Sequence, residues 1–179
     1  RKPILLSINE DWKYSLAVDF DFDRIKIGIF DLGLSLIEKE YIKLRESLST
    51  KNELSKQIIR VINKLMDKKQ IVESDLIGIC ISVEGLIDYD KNTFLTSTVY
   101  PELNNDVLFE PIIEDFICPV YIENGSNLAA LAEKNLVKRF SNIKNLVFLE
   151  VNSGIGEGII LNNKIFSGTF GGAGEIGHI

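Results

Sequence analysis

The sequence predicts an α/β layer fold, and three observations predict it. Leu76 to Val83 is an almost unbroken apolar run closed by Glu84-Gly85, the pattern of a strand buried on both faces. Apolar residues at Leu54, Ile58, Ile62, Leu65 and Met66 recur at helical intervals. Strand-like and helix-like segments then alternate toward the end of the chain, and buried strands beside helices imply layers.

In chain order, Ser15–Phe20 and Arg24–Asp31 are rich in β-branched and aromatic residues and flank an acidic trio around Phe22, which predicts a hairpin. A third strand, roughly Leu36 to Leu44, continues the meander. Thr50-Lys51-Asn52-Glu53 has the spacing of a capping box ahead of the first helix, which ends in the polar Asp67-Lys68-Lys69-Gln70. After the apolar strand, the pattern predicts a helix over Val107–Phe116, a strand over Pro119–Glu123 and a helix from Ser126 to Phe140. A strand over Asn145–Val151, a turn at Asn152-Ser153-Gly154 and a strand over Gly158–Leu161 follow. The one boundary lies near Phe140–Lys144, so the expected organisation is a linker over 1–14, an α/β lobe over 15–140 and the start of a second lobe over 141–179.

Composition narrows the function classes. The 179 residues carry 20 Lys+Arg against 26 Asp+Glu, a formal net charge of −6, with 45% hydrophobic residues. Globular domains run to ~100–200 residues, so a large multidomain enzyme is excluded. No run approaches the ~18 apolar residues of a membrane span, and Arg1-Lys2-Pro3 leads into no apolar signal core. A cytoplasmic protein without membrane contact is expected. Cys80 and Cys118 each lie in an apolar run, which suits reduced thiols rather than a bridge. An acidic chain without a basic cluster lacks the Lys and Arg that neutralise nucleic-acid phosphates.

Three polar or glycine-rich turns follow strands, where α/β proteins place ligands. Gly154-Ile155-Gly156-Glu157-Gly158 reads either as a phosphate-facing hairpin, since glycine lets backbone N–H groups approach an anion, or as a tight turn without a ligand. Glu123-Asn124-Gly125-Ser126-Asn127 joins a strand to a helix. Its amides and Glu123 suit sugar hydroxyls, and Asn124 or Ser126 suits helix capping. Glu175 lies three residues before His178, the single histidine, in the glycine-rich run Gly171–Ile179. A carboxylate and an imidazole between glycines suit a ligand or a metal, although one histidine makes no zinc site.

Together these stretches resemble the ROK family of repressors and sugar kinases. Glu123-Asn124-Gly125-Ser126-Asn127-Leu128-Ala129-Ala130-Leu131-Ala132-Glu133 is similar to its Glu-Asn-Asp-Ala-Asn-Ala-Ala-Ala-Leu-Ala-Glu stretch. Val151–Ile160 resembles its second phosphate loop, and Gly171–His178 its Gly-x-x-Gly-Glu-Ile-Gly-His signature. Ile77–Asp88 is similar to its Gly-Ile-x-x-Pro-Gly-x-Val-Asp loop without the proline. The resemblance implies an actin-like ATPase (ribonuclease H-like) lobe with a mixed sheet, and the start of a second lobe.

Two departures decide which branch is implied. The family's kinases end their first strand in Asp-x-Gly-Gly-Thr-Lys, which cradles ATP phosphates; here the aligned residues are Asp19-Phe20-Asp21-Phe22-Asp23-Arg24. The lost glycines and the added Asp21 and Asp23 argue against nucleotide binding. Gly125 stands where those kinases have the aspartate that takes the proton from the sugar hydroxyl. Both losses imply the repressor branch, of the xylose or N-acetylglucosamine repressor type, and Arg1–Asn9 resembles the segment that follows its winged helix-turn-helix.

The expectation is therefore a sugar-sensing lobe, not an enzyme, that binds a sugar or sugar phosphate without phosphorylating it; the alternative is an active sugar kinase. By resemblance, Asn124, Glu175 and His178 would contact sugar hydroxyls, and His178 would also be a zinc ligand. The zinc site would be completed by a Cys-rich loop after His178, so no cofactor is expected within residues 1–179. Operator DNA would be reached only through a winged helix-turn-helix ahead of Arg1, and the full-length protein would be a homodimer or higher oligomer. A dimerising remnant with no ligand is the third reading.

Overall fold

The computed structural model describes residues 6–44, 51–103, 108–151 and 154–178, with only the backbone of Lys51, Asn52 and Glu102. The predicted capping box at Thr50 lies outside its described side chains, as do the turn residues Asn152 and Ser153.

Strands β1 (Tyr14–Asp21), β2 (Arg24–Asp31) and β3 (Leu36–Lys43) form the predicted meander. β4 (Leu76–Val83) then pairs parallel to β1, and β7 (Val120–Asn124) parallel to β4, giving a mixed five-stranded sheet in the order β3-β2-β1-β4-β7. Alternation sets the faces: Leu16, Val18 and Phe20 of β1 and Ile25, Ile27 and Ile29 of β2 are all at most 3% exposed. Against this face packs α1 (Lys51–Lys69), whose Leu54, Ile58, Ile62 and Leu65 are the predicted periodic residues, all buried. Each such side chain contributes roughly 1.5–3 kcal/mol by leaving water.

The predicted helix over Val107–Phe116 is only α2 (Glu110–Asp115), six residues long. Pro111 sits in its first turn, where a missing N–H is tolerated, and the backbone is extended at Phe116. β4 is not buried on both faces: Ile77 is half exposed, so the strand alternates.

A short hairpin, β5 (Leu86–Asp88) and β6 (Thr93–Thr96), escaped the sequence reading. In its turn Asn92 adopts φ 50° and reaches β7, where its amide accepts from Ile122 N at 2.9 Å and donates to Val120 O at 2.7 Å. Asn has the short polar side chain that tolerates this left-handed backbone.

Helix α3 (Gly125–Leu136) follows β7 directly and stops at Val137, four residues short of the predicted end, with a 3-10 turn over Lys138–Phe140. Beyond it lies a second sheet, β8 (Leu146–Val151), β9 (Ile155–Leu161) and β10 (Lys164–Ile165), in the order β10-β9-β8.

The segment from Ile155 to Gly158 corrects the sequence reading. It is not a glycine turn but the first half of β9, paired to β8 through Val151↔Ile155 and Glu150↔Gly156. The glycines serve helix packing instead: a Cβ on Gly156 would overlap Ser126 Oγ, and one on Gly158 would overlap Ser126 O and stand 2.6 Å from Ala130 Cβ. Close approach of α3 to this sheet requires that nothing project there. No described helix is long and apolar enough to cross a membrane.

Candidate functional site

The carboxyl ends of β1, β4 and β7, the start of α3, Glu150 of β8, residues 154–157 at the start of β9 and the loop around Glu175 enclose a cleft of about 950 Å³. Strand ends in parallel sheets open in this way because each chain must leave the layer there.

Asn124 ends β7 and caps α3. Its Oδ1 accepts from Ser126 N at 2.9 Å and Asn127 N at 3.4 Å, and its Nδ2 donates to Gly85 O at 3.1 Å. Capping and cleft lining thus coexist in one residue. Glu175 and His178 also line the cleft, with His178 Nε2 3.5 Å from Glu175 Oε2. The structure therefore brings together all three residues that the sequence singled out for sugar contact.

Glu123 does not share this place. Its Oε1 accepts from Tyr89 Oη at 2.5 Å, Asn124 N at 2.8 Å and Asn127 Nδ2 at 3.1 Å, so the carboxylate ties β7, the β5–β6 turn and α3 together. Burial, followed by the bond to Glu123, raises the Tyr89 hydroxyl pKa well above its usual value.

At the other wall, β1 and β2 join through the two-residue turn Phe22-Asp23. Lys26 binds Asp21 at 2.8 Å and Asp19 at 3.4 Å, and Asp23 takes Arg24 through two contacts of 2.7 and 2.9 Å. The Lys26 hydrogen bond, then the Phe22 N–H, holds the Asp21 carboxyl below its ordinary pKa.

Sequence reasoning missed Glu84, Glu150 and Glu157. With Asp19, Asp21 and Glu175 they make six carboxylates among the described residues of the lining, against a single lysine, Lys26. Burial, reinforced by Glu150, Glu175 and Asp19, pushes the Glu84 pKa up from 4.5 to about 7. The available signal was local: Glu84 replaces the proline of the family's loop, and Glu150 interrupts an apolar strand.

Among the described residues no three His, Cys, Asp or Glu side chains converge on a metal position. Cys80 and Cys118 are free thiols on β4 and just ahead of β7, and burial pushes Cys80 up to about 11. His178 is engaged by Glu175. The described residues thus supply only His178 toward the zinc site that the resemblance implies, which normally takes four ligands.

The ROK family model matches residues 15–179. The chain is 35% identical over 178 residues to the xylose repressor of Staphylococcus xylosus, covering 99% of this chain and 44% of that protein. It is 30% identical over 171 residues to the glucokinase of Halalkalibacterium halodurans, covering 93% and 50%. Among solved structures, a ROK family transcriptional regulator described as a homolog of the E. coli MLC protein superposes with a TM-score of 0.80 at 24% identity. That match covers 96% of this chain and 42% of the regulator. The chain thus spans less than half the length of these repressors, and it shares with the solved structures the actin-like ATPase fold. A family match over nearly the whole chain and this shared architecture together place the chain in the ROK family.

Proposed function

We propose that the chain is the sugar-sensing lobe of a ROK-type transcriptional repressor, binding an uncharged sugar in the cleft without phosphorylating it. The observation that carries this reading is the Phe22-Asp23 turn: it has no glycine, and Asp19 and Asp21 flank it at the cleft wall. A nucleotide's phosphates would meet carboxylates there in place of a backbone cradle. The six-to-one excess of carboxylates over lysine repels sugar phosphates as well. Carboxylate, imidazole and amide groups suit neutral hydroxyls, since they offer directed acceptors and donors.

In this reading Glu175, His178 and the second N–H of Asn124 Nδ2 contact sugar hydroxyls. The bound sugar favours one relative orientation of the two sheets around the cleft, which alters the spacing of two DNA-binding modules in a homodimer. Operator DNA is read by a winged helix-turn-helix outside these residues. The names of the similar xylose repressors support a pentose as effector.

Glu84 favours a second reading, an active sugar kinase, because a carboxyl titrating near neutrality is suited to general-base work. Calorimetric titration with D-xylose, D-glucose and N-acetylglucosamine, run beside a coupled ADP-release assay with ATP, separates the two. The sensor binds at least one sugar and gives no sugar-dependent ADP. Sugar-dependent turnover selects the kinase, and no binding at all removes both.

A further inference from the structure

Gly125 opens α3 at the floor of the cleft, and the space beside it is already filled. A Cβ built on Gly125 would overlap Glu84 Oε1, with Glu84 Cδ and Ser82 Oγ each 3.4 Å away. The Glu84 carboxyl, reaching across from the end of β4, therefore occupies the volume that a side chain at residue 125 would take. Both residues line the cleft. Among the described residues no hydrogen bond holds this carboxyl, and it is partly buried while still open to the cleft.

An acid so placed has few sources of relief. The charged groups facing it are Glu150 from β8, Glu175 from the terminal loop and Asp19 from β1, all carboxylates. Lys26 is committed to Asp19 and Asp21, and the His178 imidazole lies against Glu175. A polar group with neither a partner nor full hydration is costly to leave unmet, and a ligand hydroxyl is the group the cleft can supply.

We propose that Glu84 is a specificity-determining acid of the sugar site, whose carboxyl, standing in the place of a residue-125 side chain, hydrogen-bonds a hydroxyl of the bound sugar. The inference rests on the sugar-sensing reading. The contact is made by the protonated acid, which donates to one hydroxyl oxygen and accepts through its carbonyl oxygen, as a neutral amide does. Glycine at 125 and glutamate at 84 are then one device, since either residue with a larger or smaller neighbour spoils the position.

The test uses calorimetric titration with D-xylose, D-glucose and N-acetylglucosamine at pH 6, 7 and 8, with thermal melts to confirm folding. Wild type weakens about tenfold between pH 6 and pH 8, as the protonated fraction of a group titrating near 7 falls. Glu84→Gln keeps binding within about threefold of wild type at pH 7 and loses that share of the pH dependence. Glu84→Ala loses about tenfold or more. Gly125→Ala evicts the carboxyl and costs a similar factor alone, yet adds less than about threefold in the Glu84→Ala background, the non-additivity of two residues sharing one volume. Glu84→Ala binding as tightly as wild type, Glu84→Gln weakening as much as Glu84→Ala, or additive effects would overturn the proposal while leaving sugar sensing intact. Wild type that binds none of the three sugars removes the sensing reading and the proposal with it. Where Glu84→Ala does not fold, the pH profile of Glu84→Gln decides.

Discussion

Glu84 also links the cleft to folding stability. Its pKa rises from an ordinary 4.5 to about 7 in the fold, so the native state holds a proton that the unfolded chain has released between these values. Stability from this group is therefore fully present below pH 4.5, declines as pH rises toward 7 and is flat above it. Because the carboxyl is only partly buried, solvent screening reduces the effect to on the order of 1 kcal/mol. Urea titrations at pH 5 and pH 8 should show wild type losing more stability across this interval than Glu84→Gln, and equal losses would mean that the carboxyl is not perturbed. This residue was not legible from sequence, since a lone glutamate in a strand-end loop has no period or spacing to mark it. That Asn124, Glu175 and His178 line one cleft was legible because each belongs to a stretch that resembles a ROK motif.

Among elements, the seat of α3 on β9 is the most sensitive to a single atom. Gly158→Ala would drive a methyl group into Ser126 O and Ala130, and overpacking of this kind costs roughly 1–3 kcal/mol. Chemical denaturation should find the variant destabilised by that amount; an unchanged midpoint would show that the helix retreats without cost. The meander, α1 and β4 were readable because long periodic segments outvote local exceptions: five apolar positions in α1 all point the same way. The β5–β6 hairpin was not readable, since strands of three and four residues barely establish alternation. The glycines of β9 were misread as a turn for a physical reason. Glycine marks both a turn and a close approach, and only the position of α3 tells them apart.

For the whole molecule, a net charge of −6 predicts that residues 1–179 alone bind no operator DNA, since phosphate contacts need clustered Lys and Arg. A mobility shift with promoter DNA checks this, and tight sequence-selective binding by this chain would place a DNA-reading element within it. The five-stranded sheet ends at β3 on one side and β7 on the other. β3 carries Glu38, Lys39, Glu40 and Lys43, charges that discourage another chain from joining. β7 is apolar at Val120 and Ile122, and its one charge, Glu123, is engaged by Tyr89, Asn124 and Asn127. The carbonyl of Pro119, which accepts from Ile79 N at 2.9 Å, and the backbone groups of residues 121 and 123 turn toward β4, which leaves the N–H and C=O groups of Val120 and Ile122 facing outward. Of these four groups the Asn92 side chain engages two, Val120 O and Ile122 N. One amide thus stands in for part of a sixth strand, occupying two of the backbone groups that a neighbouring chain would need in order to extend the sheet at this border.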